Sequence, residues 1–326
     1  MNRAAGSCII AVVVLGALNS AWAQADAGYP SKPVRVIIGF APGGASDLVG
    51  RLIAPPLSEQ LGKTFVIENR GGAGGTIGLD YVAKAAPDGY TLGLGSSGNL
   101  VMAPHLYAKI PYNVQKDLIP ISNVVVSGYV IALNPTVPAR TVAEFVKLAK
   151  ASKNKLTYGT SGAGSTSHIA AELLRSAIGA EFIHVPYKGT GPALTAVVAG
   201  EIDLMVADLT AALPHGKSGR LRLIATVSSR RASAAPELPT MAESGVKMPA
   251  VDGRQGVVAP AGTPREIIQR LHTAIITILK NPDVRQRFAL MGFDTVGDTP
   301  EQFSADLKRD GDVFGKIIRQ AKIEAN

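Results

Sequence analysis

Apolar positions along the chain switch repeatedly between the period of a strand and that of a helix. Residues 34–40 form a β-branched apolar run that ends in Ala41-Pro42-Gly43-Gly44-Ala45-Ser46-Asp47. Leu48, Leu52 and Leu57 then recur at near-helical spacing, so the segment predicts strand, Gly-rich turn, helix. A short strand follows at 65–67 and a helix over 76–86, which Pro87-Asp88-Gly89 stops with a turn. A third strand is predicted at 90–94. Strands alternating with helices at this interval imply βαβ units and a parallel sheet.

The pattern then repeats. A long apolar strand covers 124–133, and a helix over 141–151 opens with Thr141 and Glu144 in capping-box positions. The strand at 156–159 runs into Thr160-Ser161-Gly162-Ala163-Gly164-Ser165-Thr166 before a helix over 167–178. Strands at 181–185, 202–206 and 221–227, with a helix at 191–199, continue the series. From Thr263 the chain is mainly helical, with Pro264 and Pro300 at first-turn positions. The fold class expected is α/β with two lobes, each a mainly parallel sheet flanked by helices. Lobe 1 is expected to hold 24–123 plus 251–326 and lobe 2 to hold 124–250, with crossings near Val124 and Val257.

The first 23 residues read as a leader rather than as fold. Arg3 supplies a positive start, residues 8–18 an apolar stretch too short to span a bilayer, and Ala21-Trp22-Ala23 a cleavage site. The leader predicts export to the periplasm. Cys8, the one cysteine, falls inside it, so the mature chain is expected to carry no disulfide, thiol nucleophile or cysteine-held metal. The formal charge of +8 becomes +7 once Arg3 is lost, 8 − 1. The basic residues are dispersed and aromatics make up only 5% of the chain, which argues against nucleic acid and for a general field that attracts small anions.

The two Gly/Ser loops carry the candidate chemistry. A helix N-terminus presents unpaired N–H groups and about half a positive charge, so it holds an anion without a basic side chain. Glycines and serines also make plain turns and caps, and the residues alone leave both readings open. The candidate ligand residues are Phe40, Gly43, Gly44, Ser46 and Asp47 in the first lobe, with Ser96 beyond the third strand. In the second lobe they are Ser161, Gly164, Ser165, Thr166 and His168, with Asp208 after a later strand. Ser46 or Asp47 is expected to cap the first helix. A carboxylate repels a bound carboxylate, so Asp47 is expected to brace loop amides or to meet an ammonium, and Asp208 faces the same choice.

Catalytic, cofactor and metal sites are not expected. Residues 71–78 give no G-x-G-x-x-G frame, Ala211 breaks a P-loop before Gly216-Lys217-Ser218, and Ala163 breaks a nucleophile elbow at Ser161. The histidines at 105, 168, 184, 215 and 272 have no ligand spacing. A secreted hydrolase using Ser161 and His168 is the enzyme alternative.

Taken in order, several stretches resemble the Bug-type receptors of the tripartite tricarboxylate transporter family. They are Pro42-Gly43-Gly44 with Asp47, Glu68-Asn69-Arg70 with the following glycines, Asp88-Gly89-Tyr90-Thr91-Leu92 and Pro111-Tyr112. Further on come Tyr158-Gly159-Thr160-Ser161-Gly162 with His168, Val185-Pro186-Tyr187-Lys188-Gly189 and Gly200-Glu201-Ile202-Asp203. Leu238-Pro239-Thr240 with Glu243 and Gly245, and Ala259-Pro260-Ala261-Gly262-Thr263-Pro264, complete the set. The resemblance implies a monomeric periplasmic Venus-flytrap receptor that holds a small organic acid by loop amides, hydroxyls and ordered water. It also implies integral membrane transporter subunits as partners, an orphan sensor being the alternative. Asp252-Gly253-Arg254-Gln255-Gly256 departs from the family, which often has an aromatic residue here. Were that segment to line the cleft, Arg254 would add a cation to it.

Overall fold

The computed structural model describes residues 28–107, 109–152 and 154–323; the leader lies outside them. Ten strands form a curled, mixed sheet in the order β2-β1-β3-β9-β4-β7-β5-β6, with β8 and β10 paired to β4. In the first half β1 (Val34–Ile38) lies between β2 (Phe65–Asn69) and β3 (Thr91–Ser96), all parallel. In the second half β5 (Leu156–Thr160) lies between β6 (Phe182–Pro186) and β7 (Leu204–Asp208), again parallel. Each half therefore has its first strand in the middle, and the two Gly/Ser loops leave from equivalent central strands. That place is a topological switch point, where open α/β sheets bind ligands.

Two strands tie the halves together. β4 (Leu118–Leu133) pairs antiparallel with β9 (Asp252–Pro260) as far as Gly128, and with β7 and β8 (Arg222–Thr226) from Tyr129 onward. β10 (Phe293–Thr295) joins the first part of β4. β9 and β10 are absent from the strands expected above. The run from Asp252 to Gly256 has no apolar alternation, and a three-residue strand is below what periodicity resolves.

Strand alternation buries both faces of each sheet. Val34, Val36 and Ile38 pack with Val49, Ile53 and Leu57 of α1 (Ala45–Leu61) and with Ile268, Leu271 and Ile275 of the helix Arg265–Lys280. Ile37 faces the other way, towards Leu79 and Val82 of α2 (Thr76–Ala83). In the second half Val130 and Ala132 meet Leu194 and Val197, while Ile131 and Leu133 join Phe145 and Leu173. Among the described residues no helix is long and apolar enough to cross a membrane. The Thr141–Glu144 capping box forms, whereas Pro264 sits at the N-cap of its helix rather than in the first turn.

The C-terminal helix Pro300–Gln320 fastens this frame. Its Phe303 is fully buried, with the ring seated against Gly256 of β9, where a Cβ would collide with it. Phe303→Ala is expected to cost about 3–5 kcal/mol, as for other buried Phe truncations. Urea unfolding checks this, and a loss below ~1 kcal/mol would show that the helix docks without that ring.

Candidate functional site

The first loop is built around Asp47. Its Oδ2 accepts from the Gly43 N–H (3.1 Å) and from Arg51 Nε (2.9 Å), and its Oδ1 from Asn69 Nδ2 (3.0 Å). Asn69 also donates to the Phe40 carbonyl, so one carboxylate and one amide fix the whole turn. Burial alone pushes the Asp47 pKa up; the bonds from Arg51, Gly43 and Asn69 outweigh it and hold the group below the ordinary carboxylate range. The cap expected of Ser46 or Asp47 is not made. Gly44 is the N-cap of α1 and no side chain bonds the first-turn amides, because the Ser46 hydroxyl donates to Gln255 Oε1 at 2.7 Å.

The second loop is built from hydroxyls and one imidazole. Ser165 caps α6 (Thr166–Ile178) by accepting from the His168 N–H, and Ser167 accepts from the Ser161 N–H at 2.9 Å. The Ser167 hydroxyl also lies 3.0 Å from those of Ser161 and Ser165. His168 stacks on His184 at 4.4 Å, and His184 on Tyr158 at 4.9 Å. The Gly164 N–H donates to His168 Nδ1 at 3.2 Å, which requires that nitrogen unprotonated and the ring neutral.

The loops meet at a small cavity of about 20 Å³, roughly the room of one water. It is lined by Phe40, Gly44, Ala45, Ser46, Ser96, Tyr129, Ser161, Thr166, Thr190 and Gln255, every one of them buried. Six of the twelve candidates thus come together: Phe40, Gly44, Ser46, Ser96, Ser161 and Thr166. Gly43, Asp47, Gly164, Ser165 and His168 lie behind them and shape the loops. Asp208 caps α8 (Leu209–Lys217): its Oδ1 accepts from the Thr210 N–H and hydroxyl and its Oδ2 from Ser127. Burial pushes its pKa up against those bonds.

Thr190 and Gln255 add what sequence reasoning missed. Thr190 starts α7 (Thr190–Ala199), a third helix that opens at the cavity without a side-chain cap. Its signal was the same strand, glycine, helix order, with Gly189 and Gly191 on either side of Thr190. Tyr129 sits inside an apolar strand, where a lining residue looks like a core one. Arg254 does not reach the cavity. Neighbouring strand residues point to opposite faces, so Gln255 lines the cavity while Arg254 pairs with Asp310 (3.0 Å) and Asp306 (3.9 Å) on the C-terminal helix.

Glycines let the halves touch by backbone. The Ala41 N–H donates to the Lys188 carbonyl (2.9 Å), and the Tyr107 hydroxyl to that of Ala163 (2.6 Å). A Cβ on Gly98 would come 2.7 Å from Thr166 N, and one on Gly191 2.7 Å from the Pro42 carbonyl.

Burial, and then neighbouring His184, push the His168 pKa from 6.5 down to about 4, with Glu172 opposing. The unfolded chain protonates this group below 6.5 while the native loop keeps it neutral. Acid therefore favours unfolding through that window, and the loss levels off below about 4. Stability is expected to fall between pH 7 and pH 4.5, with about 2–3 kcal/mol of the loss due to His168. His168→Asn, whose Oδ1 can replace Nδ1 as acceptor, removes that share. Equal losses in both proteins by urea unfolding would contradict the assignment.

Known proteins are similar to this chain along nearly its whole length. BugT of Bordetella pertussis is 36% identical over 321 residues, covering 98% of each chain. The periplasmic binding protein BugD superposes with a TM-score of 0.88 at 33% identity, over 91% of this chain and 99% of BugD. R. palustris Rpa4515, solved with adipate, gives 0.88 at 31% identity, over 91% and 99%. Residues 49–322 match the tripartite tricarboxylate transporter family receptor (TctC) pattern, and the chain belongs to that family of solute-binding receptors.

Proposed function

We propose that the chain captures a small organic acid between its halves in the periplasm and delivers it to the membrane subunits of a tripartite tricarboxylate-type transporter. The observation that carries this reading is the convergence of three helix N-termini, those of α1, α6 and α7, on a buried cavity with no charged side chain. Free first-turn N–H groups and the hydroxyls of Ser96, Ser161 and Thr166 suit a carboxylate. The adipate in Rpa4515 is a ligand of that class.

Since all lining residues are buried, a solute enters only when the halves part. Of the lobes expected from the sequence, 24–123 with 251–326 and 124–250, the second gives up 125–128, which pair with β9 and β10, and the change of partner along β4 at Gly128–Tyr129 supports a hinge there. An acid held by α1 gains the contacts of α6 and α7 only on closure, which supplies the differential affinity a population shift needs. The reading is of a monomeric receptor without catalysis. The Ser161 hydroxyl lies beside Ser167, and His168 Nδ1 is taken by Gly164, so no base faces that serine.

Thermal unfolding of the purified, refolded chain against mono-, di- and tricarboxylates tests the proposal. A ligand at 100 times its Kd is expected to stabilise by about 2.7 kcal/mol. Thr166→Val and Ser161→Ala are each expected to weaken that ligand ~10-fold, about one hydrogen bond to a charged group. No shift with any acid, or full affinity in both variants, would overturn the assignment.

A further inference from the structure

We infer that the groove behind the two crossing strands is the stop for the opening motion, its free volume setting how far the halves part; this rests on the hinged receptor proposed above. The chain passes between the halves at Gly128–Tyr129 of β4 and again at Val251–Asp252, where Val251 still bonds Val227 and Asp252 begins β9. Gly128 and Asp252 are register partners, so the two crossings lie side by side and define one axis. Successive residues of a strand face opposite ways. Tyr129 and Gln255 therefore line the cavity on one side of that axis, while Gly128 and Arg254 line a second space on the other.

This second space holds about 430 Å³. One wall is the stretch from Ser228 to Ser233 of the second half; the other is Asp252 and Arg254 of β9 with Gly292 and Asp294 of the first half. Walls set behind a hinge approach each other as the front opens. They are already close at two points, and a glycine stands at each. A Cβ on Gly128 would come 3.2 Å from the Ser228 hydroxyl, and one on Gly292 3.3 Å from the Ala234 side chain. Elsewhere the walls carry charges and hydroxyls: Arg230 reaches Asp294 at 3.0 Å, with both side chains exposed, and Ser229 donates to Asp252. An apolar lining would draw the walls together and hold the front open. A polar one narrows only by giving up its water, and it resists steeply once atoms touch.

Spin labels on the refolded mature chain test this, since the one cysteine, Cys8, falls in the leader. Ile77→Cys in the first half and Ile183→Cys in the second are exposed positions whose separation pulsed electron spin resonance reads. The ligand-free parent is expected to show a long distance that mono-, di- or tricarboxylates shorten. Ser229→Trp and Ser233→Trp fill the groove from exposed positions. Each is expected to cut the long-distance population at least ~10-fold before any acid is added. Arg230→Ala, which trims the same wall, is expected to lengthen the open distance. If neither Trp lowers that population and Arg230→Ala leaves the distance unchanged, the inference is overturned and the receptor reading stands. A single distance in the parent that no acid shifts overturns both.

Discussion

Three helices begin at one cavity, and the first N–H groups of each have no partner within the helix. Side chains satisfy this only in part: Ser165 caps α6, while α1 and α7 open on Gly44 and Gly189 with no side-chain cap. Each end carries about half a positive charge, so drawing the three together is unfavourable until something negative sits among them. Asp47 offsets part of this from the flank of α1, and its own bonds keep it out of the cavity. In the proposed function the remaining unmet demand is what an acid would supply, and it would rise as the halves approach. Ligand binding and closure are therefore one event in free-energy terms.

The seam between the halves is suited to repeated opening. Backbone meets backbone at Gly98 against Thr166 and Gly191 against Pro42, while Gly44 faces the Thr190 side chain. The hydrogen bonds from Ala41 to Lys188, Tyr107 to Ala163 and Arg230 to Asp294 cross between the halves and can be exchanged for water at small net cost.

Most of the frame was legible in the sequence. Central strands such as Val34–Ile38 and Leu204–Asp208 are buried on both faces and read as apolar runs, and the loops after β1 and β5 stand out by their glycines. At the cavity, legibility stopped at what lies next to those glycines. Ser46 and Thr166 each come two residues after a glycine, whereas Gln255 lies 209 residues from the Ser46 hydroxyl it accepts from. Pattern reports local periodicity, and long-range pairing of this kind leaves no periodic trace. His168 was singled out for proximity to the loop, and its role is to accept the Gly164 amide from behind, in a stack with a histidine that spacing did not connect to it.

Register along β9 decides the electrostatics of the cleft. Asn123 pairs with Gly256 and Val125 with Gln255, so β4 carries an extra residue at Val124, a bulge of the kind that re-aims side chains. A one-residue slip would exchange the two faces, presenting Arg254 to the cavity and withdrawing Gln255. The other face resists that slip through Asp306 and Asp310, which hold Arg254, and through Phe303, whose ring needs a glycine opposite it at 256. A guanidinium in the cavity would bind carboxylates bidentately and strongly. With Gln255 there instead, the acid of the proposed function would be held by neutral donors and helix ends, interactions that would weaken together as the halves separate. For a receptor that must surrender its ligand on opening, that graded grip is the more useful one.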